Sequence, residues 1–94
     1  MSEEIYSKVI AEQNHEQLRM TVSEFRGTEY LHFRWYYQDF DEEWKPSNRG
    51  THMVLELETS KELFRGISEI LSLAENQAVI EEYFSEIIRD AYIK

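Results

Sequence analysis

Phe25-Arg26-Gly27-Thr28-Glu29-Tyr30-Leu31-His32-Phe33-Arg34-Trp35-Tyr36-Tyr37 is the stretch on which the reading of this chain turns. Arg26-Gly27-Thr28 has the composition of a tight turn, and Tyr30 to Tyr37 that of a strand. Side chains alternate along a strand. Leu31, Phe33 and Trp35 therefore point one way, and Tyr30, His32, Arg34 and Tyr36 the other. Phe33 and Trp35 read as core. Tyr30 and Tyr36 share a face with Arg34, which combines aromatic rings with a cation on extended backbone. Aromatic faces stack on unpaired bases while cations follow the phosphates between them. Strict alternation sends Tyr37 away from Arg34.

Working outward, Leu18, Met20 and Val22 alternate with Arg19, Thr21 and Ser23, the pattern of a half-buried strand. Residues 5–13 are ambiguous: Ile5, Val9 and Ile10 fit a helical stripe, but also a strand entering an Asn14-His15 turn. Asp39 to Arg49 reads as a loop. Thr51 to Leu57 reads as a further strand, with Met53, Leu55 and Leu57 inward and His52, Val54 and Glu56 outward. The expectation is a meander of four antiparallel strands.

Helical periodicity follows. Thr59 and Glu62 have capping-box spacing ahead of a stripe of Leu63, Phe64, Ile67, Ile70 and Leu71. Ser72 and Glu75 repeat that spacing, so a break is expected there. A second helix then runs to about Tyr92, with Ile80, Tyr83, Phe84, Ile87, Ile88 and Ala91 on one side. Two wide apolar stripes and a sheet face exceed what one small sheet covers, so either the second helix folds back over the first or a partner chain covers the excess, and a homodimer is the favoured reading.

The chain has 94 residues, 41% hydrophobic content and one proline, which suits one folded domain. Cysteine is absent, which removes disulfides, thiolate metal sites and cysteine nucleophiles. The acidic opening, Met1-Ser2-Glu3-Glu4, precedes no apolar run of the kind found in a signal peptide or membrane span. A cytoplasmic or nucleoid-associated location is expected.

The formal net charge is −9, which disfavours non-specific attraction to duplex DNA or anionic membranes. The charge is uneven. Residues 17–50 hold five Lys and Arg against six acids, and four of those acids sit together in Asp39–Glu43. Residues 51–94 hold four basic residues against nine acids. The central segment is therefore nearly neutral, and without that acidic cluster it would be basic.

Catalytic and metal-binding patterns are missing. His15, His32 and His52 lack zinc-site spacing. Asp39-Phe40-Asp41-Glu42-Glu43 starts somewhat like a calcium loop, but Trp44 stands at the glycine position and Gly50 at the terminal glutamate. It reads as a solvated acidic loop. No glycine-rich phosphate loop occurs, and no serine has an evident base partner. No enzyme activity, catalytic residue, metal or cofactor is expected.

Glu24-Phe25-Arg26-Gly27, then Tyr30-Leu31-His32-Phe33-Arg34 with Tyr36-Tyr37, then Glu43-Trp44-Lys45-Pro46 and Arg49-Gly50, resembles the positive cofactor four family of transcriptional coactivators and its bacterial and phage relatives. The resemblance covers about residues 18–71. It implies a curved four-stranded sheet followed by a helix, dimerising to form a channel for single-stranded DNA. It further implies DNA contacts from Phe25 and Arg26 at the turn, Arg34 and Tyr37 on the strand, and Lys45 and Arg49 in the loop. A contact from Tyr37 would need a bulge or strand end there. The chain departs from the family pattern at Thr28 and Trp35, in its added C-terminal helix and in its acidity. A second, shorter resemblance, through Ile5-Tyr6-Ser7-Lys8, is to bacterial Pur-alpha proteins, which also bind single strands.

The expected fold is α+β: an antiparallel four-stranded curved sheet over about 5–57, then a C-terminal helix or helix pair over about 60–71 and 73–92. Residues 1–94 would form a single nucleic-acid-binding domain. The expected function is largely sequence-independent binding of single-stranded DNA or RNA in transcription, replication or repair. Phosphates would be held by Arg26, Arg34, Lys45 and Arg49, and bases would stack on Phe25, Tyr36, Tyr37 and Trp44. Expected partners are single-stranded nucleic acid, a second copy through the C-terminal helices, and transcription or replication proteins, with no membrane. The alternative is an acidic protein-interaction module, or a transcriptional regulator acting through protein partners. Cations clustered on one face favour the binder, whereas scattered and neutralised cations favour the alternative.

Overall fold

The computed structural model describes residues 3–92. It consists of strands β1 (Glu3–Gln13), β2 (Glu16–Phe25), β3 (Thr28–Gln38) and β4 (Trp44–Val54), followed by helices α1 (Leu57–Ala74) and α2 (Gln77–Tyr92). The chain divides between Thr59 and Ser60 into a sheet unit and a helical unit. The sheet is antiparallel, with its strands in sequence order β1-β2-β3-β4. Residues 5–13, ambiguous by periodicity, are strand.

Two of the three hairpin turns are the tightest kind. Asn14 and His15 have φ of 49° and 61°, and Arg26 and Gly27 have φ of 52° and 83°. Two consecutive residues at positive φ give the mirror-image turn whose twist matches that of the flanking strands. Gly27 reaches this conformation without a Cβ penalty. The third turn is built by Asp39. Its Oδ1 accepts hydrogen bonds from the backbone N–H of Asp41 and Glu43, both at 2.9 Å. The acidic run is thus a side-chain-braced turn, five residues long.

Pairing of β2 with β3 is unbroken from Glu16↔Tyr37 to Phe25↔Thr28. Period-two alternation therefore holds throughout. Leu18, Met20 and Val22 lie with Leu31, Phe33 and Trp35 on one side. Gln17, Arg19, Thr21 and Ser23 lie with Tyr30, His32, Arg34 and Tyr36 on the other, hereafter the histidine–arginine face. Leu31, 5% exposed, is the buried apolar residue of the described chain, and Gln17, Thr21 and Ser23 are buried on the other face. No buried polar side-chain atom among the described residues lacks a hydrogen-bond partner.

Several boundaries differ from the sequence expectation. First, β4 runs from Trp44 to Val54 rather than from Thr51 to Leu57, so the expected loop is mostly strand, and Leu57, expected to face the core, opens the first helix and is exposed. Pro46 is tolerated because β4 is an edge strand, where a missing N–H breaks no ladder. Extra residues of β4 are absorbed by a register shift between Arg34 and Tyr36. Ser47 pins the irregularity, its hydroxyl donating to the Trp35 carbonyl at 2.7 Å. At Gly50 a Cβ would lie 2.8 Å from the Phe33 carbonyl oxygen, so this close strand approach requires glycine.

Second, α1 begins at Leu57, which leaves Thr59 inside the first turn instead of at the cap. Third, α1 runs past Ser72 to Ala74, and the hydroxyl of Ser72 donates to the Glu69 carbonyl. The cap of α2 is Asn76, whose Oδ1 accepts from the N–H of Val79 at 3.0 Å. Neither helix contains a fully buried residue.

Candidate nucleic-acid interface

The centre of the histidine–arginine face is a pair of arginines in direct register, Arg19 on β2 opposite Arg34 on β3. Like charges placed opposite on neighbouring strands repel. Among the described residues neither guanidinium has an ion-paired acid. Arg34 donates from Nη1 to the Ser47 carbonyl at 2.8 Å. Arg19 is steered by Gln17, whose Oε1 accepts from Nε at 3.0 Å and Nη2 at 2.9 Å. Gln17 is fixed in turn by donating to Glu12 at 3.2 Å. Both arginines thus have their orientation set by neutral acceptors while their charge stays uncompensated.

Aromatic rings adjoin them. The Arg19 guanidinium lies 4.2 Å from the centre of the Tyr36 ring and 6.0 Å from that of Trp44, within the range of cation–π attraction. Trp44 reaches this side because it pairs with Gln38, two positions beyond Tyr36. At the opposite end of the face, Arg26 sits with its guanidinium 5.0 Å from the Phe25 ring.

Between these ends lie two histidines. His32 and His52 are cross-strand partners, with ring centres 5.5 Å apart and planes 31° apart. His32 Nε2 and the Ser23 hydroxyl share a hydrogen bond of 2.8 Å, and Tyr30 meets His52 edge-on at 6.0 Å. Burial lowers the His32 pKa below the ordinary histidine value, and His52 and then Arg34 lower it further. Phe25, Tyr30 and the two histidines line an open recess of about 390 Å³.

Of the residues expected to contact nucleic acid, Arg34, Tyr36 and Trp44 are brought together here, and Phe25 with Arg26 occupies one end of the same face. Tyr37, Lys45 and Arg49 are not part of this group. Unbroken β2–β3 register sends Tyr37 to the side opposite Arg34, and Lys45 is its partner there. The Arg49 guanidinium lies 5.4 Å from the centre of the Trp35 ring, on the apolar side, and pairs with Glu16. Lys45 lies 3.3 Å from Glu43 and 3.9 Å from Asp39. The cations therefore divide into an uncompensated cluster on one face and a neutralised pair on the other.

Arg19 was not expected as a site residue. In sequence it is an ordinary solvated charge, and only its register with Arg34 and Tyr36 marks it out. Among the described residues no group of His, Asp or Glu is arranged to hold a metal, and no helix is long and apolar enough to cross a membrane.

An open antiparallel four-stranded sheet with one arginine- and aromatic-bearing face, followed by two helices, defines the class. The family model described as Transcriptional Coactivator p15 (PC4) matches residues 13–63. The chain is also similar to a solved structure described as the bacteriophage T5 homologue of the eukaryotic transcription coactivator PC4, implicated in recombination-dependent DNA replication. The two share 35% identity over 87% of this chain and 93% of that one, with a TM-score of 0.72. A PC4 homologue from Burkholderia pseudomallei, 23% identical over 76% of this chain and 92% of that one, shares the fold with a TM-score of 0.51. No curated protein matches significantly. This chain belongs to the PC4 family.

Proposed function

We propose that this protein binds single-stranded DNA or RNA across the histidine–arginine face, largely without regard to sequence. The observation that carries the reading is the Arg19–Arg34 pair, two like charges in direct register without an acid between them. A phosphate seated between them turns mutual repulsion into shared attraction. Arg26 holds a further phosphate at the turn. Unpaired bases stack on Tyr36, Trp44 and Phe25, each stack contributing about 1–3 kcal/mol. Stacking does not distinguish bases strongly, because every base has a π-face.

Tyr37, Lys45 and Arg49 act on the reverse side, where a strand passing round the β4 edge meets them, and the acids beside Lys45 and Arg49 weaken their share. A homodimer through the helices completes the reading. Exposed apolar residues on α1 (Phe64, Ile67, Ile70) and α2 (Tyr83, Ile87, Ile88) support it, and two-fold pairing is the commonest oligomer geometry. The protein works by binding rather than catalysis, in the cytoplasm or on the nucleoid, alongside replication or transcription proteins. The implication of the T5 homologue in recombination-dependent DNA replication favours replication among these processes.

Fluorescence anisotropy with labelled oligo(dT) and a duplex of equal length tests the reading. Tighter binding to the single strand is expected at moderate salt. Equal or tighter binding to the duplex overturns it.

A further inference from the structure

The arginine pair accounts for the centre of this face, but not for two histidines stacked beside it. His32 and His52 are in direct cross-strand register, 5.5 Å between ring centres, with Arg34 two residues along β3 on the same face. Protonating both rings would place three positive charges close together, and burial of His32 opposes its charging as well. In the free protein the charged form of His32 is therefore disfavoured. An arriving phosphate reverses this balance by supplying negative charge where imidazolium was disfavoured.

We infer that the His32–His52 pair links single-strand binding to protonation, a phosphate on this face drawing protons onto the imidazoles. This rests on the proposed single-strand binding.

The other groups facing the pair fit this role. From β2, Ser23 bonds His32 Nε2 through a hydroxyl, which accepts a hydrogen bond from the ring as readily as it donates one. From β3, Tyr30 meets His52 by its edge and Arg34 adds positive charge. From β1, Glu4 shares a recess of about 220 Å³ with His32 and Arg34. Glu4 is the one carboxylate on that recess and forms no ion pair with Arg34. Beyond Phe25, which lines the other recess, Arg26 adds a further cation. Cations thus outnumber carboxylates around the rings, so an added phosphate is the group that shifts them towards the charged form.

The sign follows from proton linkage. If the bound state holds more protons than the free state, affinity rises as pH falls. For each proton taken up, affinity for oligo(dT) should rise by up to about tenfold per pH unit across the histidine range. Thymine does not titrate there, so the change belongs to the protein. The direct measurement is calorimetry of oligo(dT) binding at pH 6.5 in buffers of different ionisation enthalpy. Proton uptake is expected with the wild-type chain. It should diminish in His32→Gln and in His52→Gln, and persist in His15→Asn, which alters the histidine of the first turn.

Wild-type binding with no proton uptake and a flat affinity between pH 5.5 and 8 overturns the inference while leaving single-strand binding intact. Uptake unchanged in both His32→Gln and His52→Gln also overturns it. Failure to bind oligo(dT) at any pH overturns the underlying reading and this inference with it. The wild-type measurement needs no variant to fold.

Discussion

Arg19 and Arg34 face each other directly across β2 and β3, held by Gln17 and by the Ser47 carbonyl rather than by acids. In a chain of net charge −9, with 19 acids available, two adjacent arginines are left uncompensated on one face, which is where the proposed function seats a phosphate. Arg19→Ala and Arg34→Ala should each weaken oligo(dT) binding and lower the salt slope by about 0.7 in log–log form. Stability should change little in Arg19→Ala, where relief of the repulsion offsets loss of the two bonds to Gln17. It should fall by about 1 kcal/mol in Arg34→Ala through loss of the bond to Ser47. Thermal melting beside anisotropy separates the two effects, and collapse of folding without an intrinsic affinity change would refute the assignment.

Arg49→Ala should behave differently. Its guanidinium is paired with Glu16 beside Trp35, on the side away from Arg34. Exposed ion pairs of this kind contribute about 0–1 kcal/mol to stability. Binding to oligo(dT) should fall by less than in Arg19→Ala under the same salt. A larger loss would mean that the strand runs chiefly round the β4 edge.

Stability should also depend on pH through His32. Its pKa is lowered in the folded state, so the unfolded chain binds the proton more readily. That contribution is fully present above the ordinary histidine value of about 6.5, and is lost as pH falls from there towards the depressed folded value. Melting temperature should therefore drop between pH 7.5 and 5.5, and less steeply in His32→Gln. An equal drop in both chains would assign the effect to other groups.

Gly50→Ala tests the strand approach beside the irregularity in β4. The new Cβ would sit 2.8 Å from the Phe33 carbonyl oxygen and 3.0 Å from the Arg34 guanidinium carbon. Overpacking of this kind costs about 1–3 kcal/mol. Urea unfolding should show the loss, together with weaker oligo(dT) binding because Arg34 is displaced.

For the helices, Ile67→Glu places a charge in the proposed subunit contact. Light scattering should report a dimer for the wild-type chain and a monomer for the variant. A wild-type monomer at micromolar concentration would remove the dimer from the proposal.

Much of the sheet was legible from sequence because its signals are local. Period-two alternation assigns the faces of β2 and β3, and Asn14-His15 and Arg26-Gly27 mark the hairpins. What escaped depends on pairing. Trp44 to Arg49 read as loop because Pro46 breaks strands in general, and only an edge position makes it harmless. Thr59 looked like a cap because capping spacing is short and recurs by chance. Arg19 carries no motif, and its place opposite Arg34 appears only when β2 is laid in register against β3. Tyr37 shows the opposite case: simple alternation, rather than the family-implied contact, gave its side of the sheet.

The two tryptophans lie on opposite sides of the sheet, Trp44 beside Arg19 and Tyr36, Trp35 beside Arg49. Titrating oligo(dT) into Trp35→Phe and Trp44→Phe therefore reads each side separately by fluorescence. Strong, saturable quenching of Trp44 in the first variant, with a clearly weaker response of Trp35 in the second, is the result expected if the strand lies chiefly on the histidine–arginine face. Quenching of Trp35 while Trp44 stays silent, or no response from either, would contradict it.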